Sequence, residues 1–457
     1  MPDTGDTAWM LASSALVLLM TPGLAFFYGG MVRTKSVLNM IMMSMSAMGI
    51  VGVLWVLFGY SEAFGNDAGH GLVGNPFEHW GLHGLFGGTY TATTGGPKVD
   101  IPLVGTIPAT VFVAFQAMFA IITVALVSGA VADRMRFGPW LAFAALWATV
   151  VYFPVAHWVF SANGFSAPVG GWINNQLKAI DFAGGTAVHI NAGAAGLALC
   201  LVLGKRRGWP REAMRPHNLP LVMLGAGLLW FGWFGFNAGS AVAANGVAGI
   251  TFINTTVATC AAMLGWLLVE RIRDGRPTSL GGASGVVAGL VAITPSCSSV
   301  SPVGAIVVGA VAGAVCALAV SIKFRLGFDD SLDVVAVHLI GGLAGTLLVG
   351  LLATSAAPAG VNGLFYGGGL DQLWRQAVAA FAVMAFSFVG ALIIALVLKY
   401  TIGLRVDGEA ERTGIDETEH AEAGYELSSI LTGSGPSNSR ATQLPAGKIP
   451  ASTGQEG

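Results

Sequence analysis

The sequence predicts an all-α integral membrane protein: eleven transmembrane helices, arranged as inverted five-helix repeats plus a final helix. Three observations carry this. Only 10% of the 457 residues are charged and 54% are hydrophobic, against roughly 25% charged in a soluble protein, so a water-facing surface cannot be assembled. Apolar runs of about twenty residues, the length that crosses a bilayer, recur between polar breaks. Two short motifs each appear twice, five runs apart.

Composition narrows the chemistry. The 65 glycines are about twice the usual share and suit helices packed backbone to backbone through small residues. A net charge of −2 leaves no contiguous basic face for nucleic acid. Cys200, Cys260, Cys297 and Cys316 are scattered one per apolar run, without the spacing of a zinc site or a disulfide framework. They read as small core residues.

In order, the spans cover about 8 to 30, 38 to 60, 104 to 131, 139 to 160, 184 to 203, 219 to 239, 248 to 270, 280 to 297, 303 to 322, 333 to 354 and 375 to 399. The first follows Asp3 and Asp6 rather than a basic stretch and is too long for the core of a signal peptide, so it reads as a true helix. Eleven crossings put the termini on opposite sides. Cytoplasmic loops retain Lys and Arg. With the N-terminus outside, nineteen of these residues fall inside, among them Arg33, Arg134, the run from Lys205 to Arg215, and Arg405; only Lys98, Lys178 and Arg375 fall outside. The expected location is a cell inner (plasma) membrane, with the C-terminus cytoplasmic. The outer loop from Ser61 to Ile101 is Gly-rich and suggests no separate domain. Residues 1–402 form the membrane domain and 403–430 a cytoplasmic segment; 431–457, rich in Gly, Ser, Pro and Thr, are expected to be disordered.

The internal repeat is read from two pairs of motifs. Ala187-Val188-His189-Ile190 is followed by Gly193, Ala195 and Gly196, and Ala336-Val337-His338-Leu339 by Gly342, Ala344 and Gly345, at matching offsets. Gly23 to Gly30 matches Gly232 to Gly239 at the first Gly, at Phe27 and Phe236, and at the last Gly. These segments lie in spans 5, 10, 1 and 6. A shift of five helices reverses the direction of travel, and inverted repeats place a transport pathway near the midplane at their interface.

His189 and His338 occupy equivalent places inside spans 5 and 10, where an ionisable residue is a candidate functional site. Each is the other's natural partner: two neutral imidazoles can share one N–H and still present outward faces that donate or accept. Such a pair suits a small neutral hydrogen-bonding molecule, or protons passed from ring to ring. Two core histidines satisfied by helix carbonyls are the alternative. Metal ligation needs further ligands, and none is found at the same depth. His157 has no repeat partner and reads as structural.

Four stretches carry a resemblance: Phe115-Gln-Ala-Met-Phe119-Ala-Ile-Ile-Thr, Asp181-Phe-Ala-Gly-Gly-Thr-Ala-Val-His189-Ile-Asn, Gly232-Trp-Phe-Gly-Phe236-Asn-Ala-Gly-Ser240 and Asp333-Val-Val-Ala-Val-His338. They resemble, in the same order, the signature segments of the Amt/Mep/Rh ammonium transporters, most closely the bacterial Amt branch, and the likeness runs from Thr21 to about Tyr425. It implies an eleven-helix homotrimer in the lipid bilayer with one pore per subunit, carrying ammonium or methylammonium without a cofactor. By the same resemblance Phe119 and Phe236 are stacked rings closing an outer vestibule flanked by Phe115, and Ser240 accepts a hydrogen bond from the ion. Aromatic faces attract a cation and a hydroxyl orients it. Asp181 matches the family's acidic residue, open between helix cap and electrostatic helper. His189 and His338 take the twin-histidine role; Trp233 and Ser284 line or support the pore.

One position departs. In His157-Trp158-Val-Phe160 the family's usual Trp is replaced by Phe160, which keeps a π-face but loses the indole N–H. Either the outer site is weaker or Trp158 compensates. The implied mechanism binds ammonium at Phe119, Phe160 and Ser240, strips its proton near Asp181, and passes ammonia beyond Phe236 along the histidines. Whether the proton follows is left open. An ammonium sensor or membrane anchor for a P-II signalling protein is the alternative function; an intramembrane hydrolase lacks a nucleophile or third metal ligand. The segment from Gly403 to Asp416 resembles the family's C-terminal signature, although the Gly usual after the histidine is replaced in His420-Ala421-Glu422. Its acidic residues and Arg405 are expected to pair with the basic loop from Lys205 to Arg215.

Overall fold

The computed structural model describes residues 2–87, 89–93 and 96–425; the tail expected to be disordered, 431–457, lies outside them. The described chain is mostly helical: α1 (Thr4–Met31), α2 (Thr34–Phe64), α3 (Ala109–Val131), α4 (Phe137–Phe160), α5 (Gly185–Leu203), α6 (Leu219–Gly239), α7 (Gly246–Arg273), α8 (Ser279–Ile293), α9 (Pro302–Leu326), α10 (Val335–Leu352) and α11 (Asp371–Thr401). Ten of these are long and apolar enough to cross a membrane. The exception is α8, with 15 residues, which stops short of the expected span of 280 to 297. Thr294 to Val300 continues as turns, and every residue from Gly281 to Val300 is buried. Irregular backbone is tolerated at membrane depth where protein encloses it.

The fold is not wholly α-helical. Before α3, β1 (Thr89–Thr93) pairs antiparallel with β2 (Gly96–Asp100), and β3 (Leu103–Val104) with β4 (Ile107–Pro108). Hydropathy leaves β1 and β2 in the outer loop and counts Val104 to Pro108 into the third span, whose helix begins only at Ala109; of these strands only β1, Thr-Tyr-Thr-Ala-Thr, has a clearly β-prone composition. Two short helices follow α11: α12 (Gly408–Thr413) and α13 (Ile415–His420).

Glycine sets how closely the helices approach. A Cβ on Gly193 of α5 would lie 2.4 Å from the Leu339 nitrogen of α10, and one on Gly309 of α9 would lie 2.0 Å from the Ala258 oxygen of α7, so neither position admits a side chain. The first contact brings the two histidine-bearing segments together. Cys200, Cys297 and Cys316 are buried as expected, but Cys260 is exposed on α7, on a face that this chain alone does not cover.

On the face that carries the C-terminal segment, buried ion pairs tie four loops. Arg206 holds both carboxylate oxygens of Asp329 at 2.9 Å and reaches Asp133 at 3.2 Å, and Arg33 reaches Asp133 at 3.3 Å. Removing one partner of such a buried pair costs about 3 to 5 kcal/mol.

Candidate functional site

At the N-terminal face a cavity of about 230 Å³ opens between α3, the end of α4 and the start of α5. Phe115, Gln116, Phe119, Phe160, Asn174, Asp181 and Ser240 are among its walls. Phe119 of α3, in its wall, stacks on Phe236 of α6 with centroids 4.1 Å apart and planes 18° apart. Phe115 packs on Phe119 at 4.9 Å and Phe160 meets it edge to face at 6.2 Å. Ser240 ends α6 and donates its hydroxyl proton to the Phe236 carbonyl at 2.8 Å. Its lone pairs are left for a donor.

Below the stacked rings lies a second cavity of about 10 Å³, lined by Met20, Leu24, Trp233, Phe236, His189, His338 and other apolar residues, enough for about one water-sized molecule. His189 Nδ1 and His338 Nδ1 are 3.3 Å apart, and the rings lie nearly parallel at 5.3 Å. At that distance one nitrogen donates and the other accepts. Trp233 stacks on His189 at 5.4 Å and anchors its indole by donating to Thr294 Oγ1 at 2.9 Å. Nε2 of His189 is buried without a partner among the described residues. The order along the path is therefore vestibule, Phe pair, His189, His338. Both histidines lie in six-residue π-helical turns that open α5 and α10, Gly185–Ile190 and Val335–Ile340. Such turns are frequent at functional sites.

Asp181 explains how α5 can begin inside the protein. The first four N–H groups of a helix have no partner within it. Asp181 accepts from Gly184 (2.8 Å), Gly185 (2.6 Å), Thr186 (2.7 Å) and Ala187 (3.1 Å), and also from the Thr186 hydroxyl. The carboxylate is thus a helix cap that faces the cavity, and its oxygens are occupied. Asp330 does a similar task for α10, accepting from Val335 N at 2.7 Å, and it stands eight residues before His338 as Asp181 stands eight before His189. Burial pushes its carboxyl up to about 6 against the opposing pull of Lys323. That offset is a sequence signal which the motif comparison did not use.

The structure brings together Phe115, Phe119, Phe160, Asp181, Ser240, Phe236, Trp233, His189 and His338 along one path. Ser284 is not among the walls of either cavity; it is buried on α8 one turn from Val287, which does line the lower one. Trp158 does not reach the vestibule. Its indole donates to Leu72 O at 2.7 Å and packs against Phe386 and Trp172. His157 is held by Ala63 O at 3.0 Å and Asp67 at 3.4 Å, away from the path. Gln116 and Asn174, both in the vestibule wall, are residues that motif reading missed.

The C-terminal segment lies across the loops of its face, held differently from expectation. Its carboxylates meet backbone N–H groups of neighbouring segments, and the arginines they pair with, Arg405 and Arg136, lie outside the loop from Lys205 to Arg215. Asp416 accepts from Leu38 N (3.0 Å) and Asn39 N (2.8 Å) in the first α-helical turn of α2, Glu419 from Phe137 N (2.9 Å) at the start of α4, and Glu411 from Arg207 N (2.6 Å). Arg405 pairs with Glu411 at 2.7 Å and donates to Leu203 O at 3.0 Å. The uncapped N-termini of α2 and α4 offer such carboxylates directed donors and a positive dipole end.

A bundle of long apolar helices enclosing a narrow, histidine-lined path defines a multi-span membrane protein of the transporter class. The sequence profile of the Ammonium Transporter Family matches residues 8–425. An ammonium transporter of Mycobacterium tuberculosis (strain ATCC 25618 / H37Rv) is 70% identical over 442 residues, covering 95% of this chain and 92% of the relative. One of Bacillus subtilis (strain 168) is 47% identical, covering 92% and 98%. Among solved structures, Saccharomyces cerevisiae Mep2 matches with TM-score 0.77 and 33% identity over 89% of this chain and 88% of that one. A sensor Amt protein matches with TM-score 0.80 and 28% identity, covering 91% and 98%. The chain belongs to the Ammonium Transporter Family.

Proposed function

We propose that this protein carries ammonium across a cell inner membrane, with the ion recruited in the Phe119, Phe160 and Ser240 vestibule and ammonia passed beyond Phe236 along His189 and His338. The observation that carries the reading is the 3.3 Å contact between two buried histidines beneath an aromatic cavity. Ammonium presents only donors, and Ser240 presents a free acceptor. An isolated charge in a low-dielectric passage is penalised by tens of kcal/mol in the idealised limit. The one-molecule cavity beside neutral imidazoles therefore favours ammonia, and K⁺, which has no proton to release, is excluded. Asp181, its oxygens filled by N–H groups, acts as a fixed negative charge near the vestibule rather than as the base.

In this reading α8 is the eighth of eleven crossings, spanning about 22 Å at 1.5 Å per residue and finished by buried turns. The five-helix halves are inverted repeats, the N-terminal face is outside, and the functional form is a homotrimer with one pore per subunit. Residues 1–402 form the transport domain and 403–430 a cytoplasmic regulatory segment, whose acidic caps on α2 and α4 make it a sensor of loop position. The P-II signalling proteins are the partner class expected on that face. In proteoliposomes, His189→Ala and His338→Ala are each expected to abolish selective ammonium uptake or convert it to cation leak, with the double change far less than additive. Unaltered uptake in both single variants would return the pair to a structural role.

A further inference from the structure

We infer that Asn174 and Gln116 supply the remaining acceptor oxygens of the vestibule and set its preference for ammonium over methylated amines. This rests on the proposed reading of the vestibule as an ammonium site. An ammonium ion leaving water must hand four N–H donors to new partners. Asp181 cannot take them in full, because five donors, Gly184 N and four from the start of α5, already fill its oxygens. Ser240 offers one hydroxyl oxygen. Phe119 and Phe160 attract the charge through their faces but bring no polar atom.

Two side-chain amides complete the wall. Asn174 sits in the π-helical turn Ile173–Leu177 of the loop between α4 and α5. Its Nδ2 donates to Val159 O at 2.9 Å, which fixes the amide orientation and leaves Oδ1 as the group it can present. Gln116 follows Phe115 on α3 and is 8% exposed. Its amide makes no hydrogen bond among the described residues and is open to the cavity, so Oε1 is free to turn towards a cation. Three neutral oxygens and the ring faces then match four N–H donors. Methylammonium has three donors and a methyl group, so one of these acceptors faces carbon and contributes little.

The test is competition uptake in proteoliposomes of the full chain, with ammonium and methylammonium half-saturation measured for the unaltered protein, Asn174→Leu and Gln116→Leu. Losing one hydrogen bond to a charged group is expected to raise the ammonium constant roughly tenfold, and the methylammonium constant less than about threefold, so the preference narrows. Gln116→Leu breaks no hydrogen bond among the described residues and decides the matter if Asn174→Leu, which also loses its clamp on Val159, fails to reach the membrane. Equal shifts for both substrates, or unchanged constants, overturn the inference and leave the vestibule reading intact. No saturable uptake by the unaltered protein overturns both.

Discussion

Ser240 and Phe160 show how single side chains tune the vestibule. Because the Ser240 proton is committed to Phe236 O, the hydroxyl can serve a donor-rich ion without reorienting, whereas Phe160 offers only the edge-to-face ring it sets against Phe119. Phe160→Trp is expected to tighten the apparent affinity for methylammonium by a few-fold, since indole is the better partner in a cation–π contact that as a whole contributes about 0.5 to 1 kcal/mol at an exposed site. Half-saturation of labelled uptake reads this directly, and an unchanged constant would remove Phe160 from the recruiting site. Trp158, tied to Leu72, is not in position to substitute. The histidines and aromatics could be read from the chain because motifs and an internal repeat mark them. Asn174 could not, because its place in the wall depends on how the loop between α4 and α5 folds back, and no periodicity encodes that.

At the scale of elements, the C-terminal segment acts as a strap of acidic caps on α2 and α4. Each such cap contributes about 1 kcal/mol, while exposed ion pairs contribute about 0 to 1 kcal/mol, so the strap is held but releasable. Its weak point is Ala421, whose φ of 54° puts an L-residue in the left-handed region at a cost of about 1 to 2 kcal/mol. Ala421→Gly is expected to fasten the strap, seen as slower protease cleavage after Glu419 in the intact protein. Faster or equal cleavage would contradict it. Apolar runs located every long helix to within a few residues. They overextended α8, because hydropathy cannot distinguish a helix from buried turns when both are enclosed by protein.

For the molecule as a whole, the arrangement pairs α1 with α6 and α5 with α10 across one path, and the proposed orientation rests on the distribution of Lys and Arg. In a background lacking the exposed Cys260, a cysteine at Gly96 is expected to label from outside and one at Arg207 only after permeabilisation. Labelling of both from one side would break the eleven-crossing topology. The motif repeat is legible because both copies keep the same Gly and His spacing; a homotrimer is implied only by the family resemblance, because a partner surface leaves no such mark in one chain. The central claim, selective passage of ammonium through a histidine-lined path, is tested most directly by recording current and labelled methylammonium uptake together in proteoliposomes of the purified protein. The account predicts saturable uptake that ammonium competes for, with K⁺ neither competing nor carrying current. A K⁺ current comparable to that with ammonium, or no saturable uptake, would contradict it.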